Sequence, residues 1–143
     1  MAEHGSIWWT ELMTSDTEGA RRFYSEAIGW TPSVVAMGDM SEPPGEGEEG
    51  YTVFMLGDRA VCGAMKMDGP RFEGVPPHWF TYVAVDDVDA AARKVAELGG
   101  EVLRAPFDVP QVGRIAIIRD PQGAVLGLGT PDSRSEAAAE YNR

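Results

Sequence analysis

Few side chains in this sequence are suited to metal binding or nucleophilic catalysis. The 143 residues include two histidines, His4 and His78, and one cysteine, Cys62. A divalent metal site needs several imidazole, carboxylate or thiolate ligands, so the sequence predicts neither a bound metal nor a resident cofactor. A lone cysteine excludes an internal disulfide, and Cys62 is expected to be a buried, unreactive thiol. No P-loop, nucleotide-binding fingerprint, serine nucleophile elbow or Cys/His pair is present.

Glu11 is the strongest candidate for an acid or a base, because of the strand in which it lies. Residues 7–13 alternate as a β-strand, which turns Trp9, Glu11 and Met13 to one face. A carboxylate among apolar side chains is partly desolvated, which raises its pKa and suits it to general acid or base catalysis or to pairing with a cationic ligand. The alternative is a structural carboxylate held by an arginine or by backbone amides.

The composition limits the partners and the compartment. The length of 143 residues fits a single domain. Because 12 Lys and Arg stand against 23 Asp and Glu, the net charge is −11, which opposes binding to nucleic acid or to an anionic membrane. The sequence has no membrane-spanning apolar run and no export signal, so we expect a cytoplasmic protein.

The elements that must position Glu11 occur twice in the same order. Asp16 and Asp87 are each predicted to cap a helix, and the two helices end at Gly29 and Gly99. A strand precedes each cap and three strands follow each helix, with a repeat distance of about 70 residues. Each half therefore predicts a βαβββ unit. The predicted strands are 7–13, 30–37, 51–56 and 59–67, then 80–85, 101–104, 114–119 and 124–129.

This order, together with its local motifs, resembles the vicinal oxygen chelate superfamily. That superfamily includes glyoxalase I, bleomycin-resistance proteins, extradiol dioxygenases and fosfomycin-resistance enzymes. The resemblance covers residues 7–131 and is specific as an ensemble, although each piece alone is weak. The motifs are Arg22-Phe23-Tyr24, Ile28-Gly29-Trp30, Val85-Asp86-Asp87-Val88-Asp89-Ala90-Ala91, Leu98-Gly99-Gly100 and Asp120-Pro121-Gln122-Gly123.

The resemblance implies an α+β fold with its site in a central cup. Two βαβββ modules, residues 7–67 and 79–131, would form a curved mixed sheet around the cup, with the helices on the outer face. In metal-dependent members, the first and fourth strands of each module supply inward His, Glu or Gln ligands. The corresponding positions here are Trp9, Phe80, Gly63 and Gly127, none of which ligates a metal. The resemblance therefore suggests a member without the metal site.

Two aromatic residues and two glycines would then replace the ligands. Trp9 and Phe80 could lie over Gly63 and Gly127, or a flat ligand could do so, or the side chains could simply fill an obsolete cavity. Arg114 is a further candidate for the cup, on the neighbouring strand. Alternation adds more residues to the cup and turns Cys62 and Leu126 towards the helices. The added residues are Glu11, Met13, Tyr82, Val61, Met65, Val125 and Gly129.

Two polar segments lie outside these modules. Residues 38–50 are rich in glycine, proline and acidic residues, which predicts a loop that is either a lid over the site or a surface insertion. Residues 132–143 form a polar tail to which we assign no function.

Three functions fit these observations. The first is a metal-independent protein that binds an aromatic or cationic small molecule, with Glu11 as the polar anchor. The second is a glyoxalase-like or dioxygenase-like enzyme, either metal-free with Glu11 as general base or metal-dependent. The third is a regulatory subunit with a filled cup. The resemblance also leaves open a homodimer.

Overall fold

The computed structural model describes residues 2–37 and 41–132. Within these residues, eight β-strands and two α-helices form an α+β fold, which confirms the predicted class. The elements are β1 (Ile7–Thr14), α1 (Thr17–Ala27), β2 (Thr31–Val35), β3 (Tyr51–Leu56), β4 (Arg59–Lys66), β5 (His78–Ala84), α2 (Val88–Glu97), β6 (Glu101–Val109), β7 (Gly113–Arg119) and β8 (Val125–Pro131), with a 3-10 turn at Pro70–Phe72.

Contacts divide this part of the chain into two compact units. The first unit comprises residues 10–80, and the second comprises residues 2–9 and 81–132. The strand order is β2-β3-β4-β1 in the first unit and β6-β7-β8-β5 in the second. In both, the first and last strands of the βαβββ unit pair in parallel and the remaining pairs are antiparallel. The predicted doubling of the βαβββ order is therefore confirmed.

The helix caps also repeat as the sequence predicts. The Asp16 carboxylate accepts a hydrogen bond from the Gly19 N–H at 2.9 Å, and Asp87 accepts from the Ala90 N–H at 3.1 Å. These bonds satisfy amide donors that a helix leaves unpaired in its first turn. Gly29 and Gly99 follow the helices with φ of 94° and 90°, a conformation that side chains other than glycine rarely adopt.

In the first unit, one face of the sheet packs against α1. Leu12, Phe54, Cys62 and Ala64 form its buried core, and Tyr24 packs against them from the helix. Phe54 is fully enclosed, and burial of such a side chain contributes roughly 1.5–3 kcal/mol. Burial also raises the pKa of Cys62 to about 11, so the thiol is protonated at neutral pH.

The second unit has an equivalent core under α2. Leu126 and the helix residues Ala91 and Val95 pack against its buried side chains, as the predicted alternation requires. The buried residues are Val85, Val88, Ala116, Ile118 and Leu128. Neither helix of the described residues is long and apolar enough to cross a bilayer.

The main error in the predicted boundaries concerns β6. The sequence predicts a strand that ends at Arg104, whereas β6 continues to Val109. Pro106 interrupts the sequence pattern, but β6 is an edge strand, where proline is tolerated. Two register shifts against β7, on either side of Arg104, also disturb the alternation by which a strand is recognised.

Candidate functional site

Glu11 is a buried carboxylate that is hydrogen-bonded to a tyrosine. Its side chain lies in β1, and the residue is only 7% exposed. The Tyr51 hydroxyl, from β3, donates a hydrogen bond to Glu11 Oε2 at 2.6 Å. This distance is typical of a charge-assisted O–H···O⁻ bond, which is stronger than a bond between neutral groups. The arrangement therefore suits an ionised Glu11.

The glycine at position 63 makes this hydrogen bond sterically possible. β1 pairs in parallel with β4, and Glu11 lies directly beside Gly63. A Cβ atom built on Gly63 would overlap the Tyr51 hydroxyl and would lie 2.8 Å from Tyr51 Cε1. Because that distance is below any real Cβ contact, a larger residue at position 63 would displace the phenol. Gly63 thus leaves the space through which Tyr51 reaches across β4 to Glu11.

Apolar residues surround this pair on the same face of the first unit. Val53 pairs with Gly63, and Met13 pairs with Met65. Met13 and Val53 are 8% and 5% exposed, so the carboxylate lies among side chains that exclude water. We call this surface the Glu11 face; it consists of Glu11, Met13, Tyr51, Val53, Gly63 and Met65.

The described part of the acidic loop is attached to the first unit through polar contacts. Thr17 Oγ1, at the start of α1, donates to Glu49 Oε1 at 2.9 Å, and Lys66 Nζ lies 4.0 Å from Glu49 Oε2. The backbone N–H of Ala36 donates to the Glu42 carbonyl oxygen at 2.9 Å. Residues 38–40 of the loop lie outside the described residues, and its role as a lid or an insertion stays a prediction.

In the second unit, an indole occupies the space above a glycine. Tyr82 of β5 pairs with Gly127 of β8, in the register that corresponds to Glu11 and Gly63. A Cβ on Gly129 would overlap the Trp8 ring and would lie 3.2 Å from Ile115 Cγ2. Trp8 also meets Tyr82 edge to face, with ring centroids 6.4 Å apart. The side chains that meet here, Trp8, Tyr82 and Ile115, are aromatic or aliphatic.

The expected pairing of large and small residues therefore occurs with different partners. Trp9 and Phe80 were predicted to lie over Gly63 and Gly127. Tyr51 lies over Gly63, Trp8 lies over Gly129, and the occupant of the space above Gly127 stays a prediction. Trp9 and Phe80 are both partly buried. Phe80 meets the ring of His78 edge to face at 6.5 Å.

Arg114 lies on the opposite face from the one considered for it. Arg114 pairs with Thr130, and the next pair along the strands is Ile115 with Gly129. Because consecutive residues of a strand face opposite sides, Ile115 faces Gly129 and Trp8 while the Arg114 side chain points towards α2. Its Nε and Nη2 atoms donate to the two carboxylate oxygens of Asp89 at 2.7 and 3.1 Å, and Nη1 donates to Asp108 at 3.3 Å. The hydrogen bond from Arg114 holds the pKa of Asp89 below its ordinary value. Arg114 therefore forms ion pairs on the α2 side of the sheet, and a role for it in ligand binding stays a prediction.

The described residues do not provide a donor set for the divalent ion of metal-dependent family members. Residues 2–37 and 41–132 contain no group of three or more His, Cys, Asp or Glu side chains that could hold a metal. His4 Nδ1 accepts a hydrogen bond from the Asp86 N–H at 2.9 Å, and His78 Nδ1 lies 2.9 Å from the Pro76 carbonyl oxygen. Metal independence stays a prediction, which direct metal analysis can test.

Sequence reasoning missed Tyr51 and Trp8. The alternation of β3 turns Tyr51 and Val53 to one face and Thr52 and Phe54 to the other, so a face could be assigned to Tyr51 from the sequence. Its approach to Gly63, on the strand between Tyr51 and Glu11, depends on the register of β3 with β4, which the sequence leaves open. A tyrosine at a strand start, two residues before the residue that pairs with an in-strand glycine, is the signal that could have identified it.

Comparisons with known proteins agree with the fold. The model of the Glyoxalase/Bleomycin resistance protein/Dioxygenase superfamily matches residues 6–128. Among solved structures, methylmalonyl-CoA epimerase from Mycobacterium tuberculosis has a TM-score of 0.63 at 16% identity, with 96% of both chains covered. The Mn(II)-bound glyoxalase from Novosphingobium aromaticivorans has a TM-score of 0.58 at 16% identity, with 91% of this chain and 40% of that chain covered. These structures show a shared fold.

Sequence relatives extend the comparison. CFP32 of Mycobacterium bovis, whose name assigns it provisionally as a glyoxylase, is 40% identical over 129 residues, 90% of this chain and 45% of CFP32. The anthracycline biosynthesis protein DnrV of Streptomyces peucetius is 33% identical over 135 residues, 87% of this chain and 46% of DnrV. The chain thus spans about half the length of these relatives. It belongs to the Glyoxalase/Bleomycin resistance protein/Dioxygenase superfamily, as its motifs predicted.

Proposed function

We propose that this protein binds a small organic molecule on the Glu11 face without a metal, with Glu11 as the polar anchor. The observation that carries the proposal is a carboxylate 7% exposed, surrounded by apolar side chains and hydrogen-bonded by Tyr51. Burying a charged group is unfavourable unless its interactions compensate, so a buried carboxylate of this kind is a candidate for function. An aromatic or cationic ligand matches the apolar surroundings and the carboxylate.

Matched ligands can test the anchor. Phenethylamine, 3-phenylpropionate and 3-phenylpropanol share an aromatic ring and differ in charge, so they separate the contribution of the ring from that of the charge. A bound ligand stabilises the folded state by about 2.7 kcal/mol at a concentration of 100 times its Kd, which thermal denaturation detects readily. We expect stabilisation to be largest for the amine and smallest for the carboxylate.

Glu11→Gln should abolish the preference for the amine while keeping the size of the side chain. Glu26→Gln, at an exposed position on α1, is the matched control and should behave as the wild type. If none of the three compounds, nor a wider panel of aromatic and cationic molecules, shifts the melting temperature, the binding proposal is wrong. An amine preference that survives Glu11→Gln would locate binding elsewhere.

A second candidate is an enzyme in which Glu11 acts as general base on a small carbonyl substrate. The name of CFP32 and the enzymes among the structural neighbours favour this candidate. A buried carboxylate within reach of a substrate C–H or O–H can remove a proton during the reaction. Turnover of dicarbonyl compounds such as methylglyoxal should then be lost in Glu11→Gln with unchanged circular dichroism. Stoichiometric Zn, Ni, Mn or Fe in protein purified without chelators would instead support a metalloenzyme.

A further inference from the structure

We infer that Tyr51 is the positioning residue of Glu11, and that Gly63 is the residue in β4 that permits this role. The inference deepens the proposed function, on which its relevance to ligand binding rests. Its physical basis is the hydrogen bond of 2.6 Å from the Tyr51 hydroxyl to Glu11 Oε2, together with the overlap that any Cβ on Gly63 would make with that hydroxyl. The three residues lie on three adjacent strands of the first unit, in the order β3, β4 and β1.

The phenol has two consequences for the carboxylate. It fixes the position of one carboxylate oxygen, since a short O–H···O⁻ bond is strongly directional. It also stabilises the ionised form, because Tyr51 donates a hydrogen bond that a protonated carboxyl oxygen would accept less well. Tyr51 therefore favours the charged form of Glu11 and orients its carboxylate, without having to contact a ligand.

Strands β3 and β4 bring mainly uncharged side chains to this face. β4 turns Gly63 and Met65 to the side of Glu11, with Arg59 at the hairpin end of the strand, while β3 contributes Tyr51 and Val53. Val61, which the sequence predicted in the cup, instead packs against the core that includes Phe54 and Cys62. The charged Lys66 and Arg21 contact Glu49 and Thr52. From β3, Tyr51 places its hydroxyl within hydrogen-bond distance of the Glu11 carboxylate.

The test is a pH titration of the Glu11 carboxyl carbon by NMR, in ligand-free protein labelled with [δ-13C]glutamate. Glu11→Gln assigns the signal by its disappearance. In Tyr51→Phe the apparent pKa of Glu11 should rise by about one unit or more, since a hydrogen bond to a charged group is lost. Tyr24→Phe, on the helix face of the same unit, is the matched control and should leave the titration unchanged.

A second variant tests Gly63 separately. Gly63→Ala should displace the phenol and raise the pKa of Glu11 in the same direction, although the hydroxyl is still present. In a Tyr51→Ala background, Gly63→Ala should cause no further rise, because the overlapping ring is gone. A Tyr51→Phe titration identical to the wild type would overturn the role of Tyr51, and a Gly63→Ala titration identical to the wild type would overturn the role of Gly63. Since no ligand is present, either result is independent of whether the proposed binding is found.

Discussion

The two βαβββ units use the same backbone pattern to present different surfaces. In the first, Glu11 lies beside Gly63 and receives the Tyr51 hydroxyl. In the second, the equivalent register pairs Tyr82 with Gly127, and Ile115 corresponds to Tyr51. The caps and terminal glycines are shared, whereas the buried carboxylate is found in the first. The repeated residues therefore maintain the fold, and the residues that differ are the ones to examine for function.

Glycine 129 offers the strongest test of this comparison in the second unit. In Gly129→Ala the new methyl group should collide with Trp8 and Ile115, and such overpacking destabilises proteins by about 1–3 kcal/mol. Urea denaturation should therefore show a lower midpoint. In a Trp8→Ala background the same substitution should have a much smaller effect. If Gly129→Ala lowered the stability equally in the wild type and in Trp8→Ala, the Trp8 ring would not be the reason for a glycine at position 129.

The helix caps should have smaller effects, equal in the two units. Asp16→Ala and Asp87→Ala each remove a carboxylate that accepts a hydrogen bond from a first-turn amide. Loss of such a cap decreases the free energy of unfolding by about 1 kcal/mol. Thermal and urea denaturation of the two variants should give similar losses, and Asp16→Asn should recover most of the stability. If only one of the two alanine variants lost stability, the two helix caps would not be equivalent.

The smallest expected effect concerns the ion pair of Arg114 and Asp89, which belongs to the second unit alone. The hydrogen bond from Arg114 lowers the folded-state pKa of Asp89 from the ordinary value of 3.8. The ion pair therefore stabilises the folded state at pH values above about 3.8, and this stabilisation is lost as the pH falls through the lowered pKa of Asp89. Asp89→Asn should melt slightly below the wild type at neutral pH, and the difference should disappear in strong acid. A difference independent of pH would contradict this assignment, and because both side chains are partly exposed the effect should be small.

The framework was predictable because its signals are local. Asp16 and Asp87, each followed by an apolar helical face and a glycine, identify a helix from neighbouring residues alone. The turn at 120–123 is a further local signal, and its Asp120 carboxylate accepts hydrogen bonds from the N–H groups of Gln122 and Ala124. The strand pattern failed at β6, where proline and register shifts interrupt the alternation.

The sequence by itself determined the doubled βαβββ order, the family and the presence of Glu11 on a strand face with apolar neighbours. Only the tertiary structure decided which side chains occupy the space above Gly63 and Gly129 and that Arg114 turns towards Asp89. The physical reason is that alternation fixes the face of a residue relative to its own strand, while contacts between strands depend on register. Arg114 and Ile115 are consecutive residues of β7 and therefore face opposite sides of the sheet. No local signal reports which of the two sides faces α2.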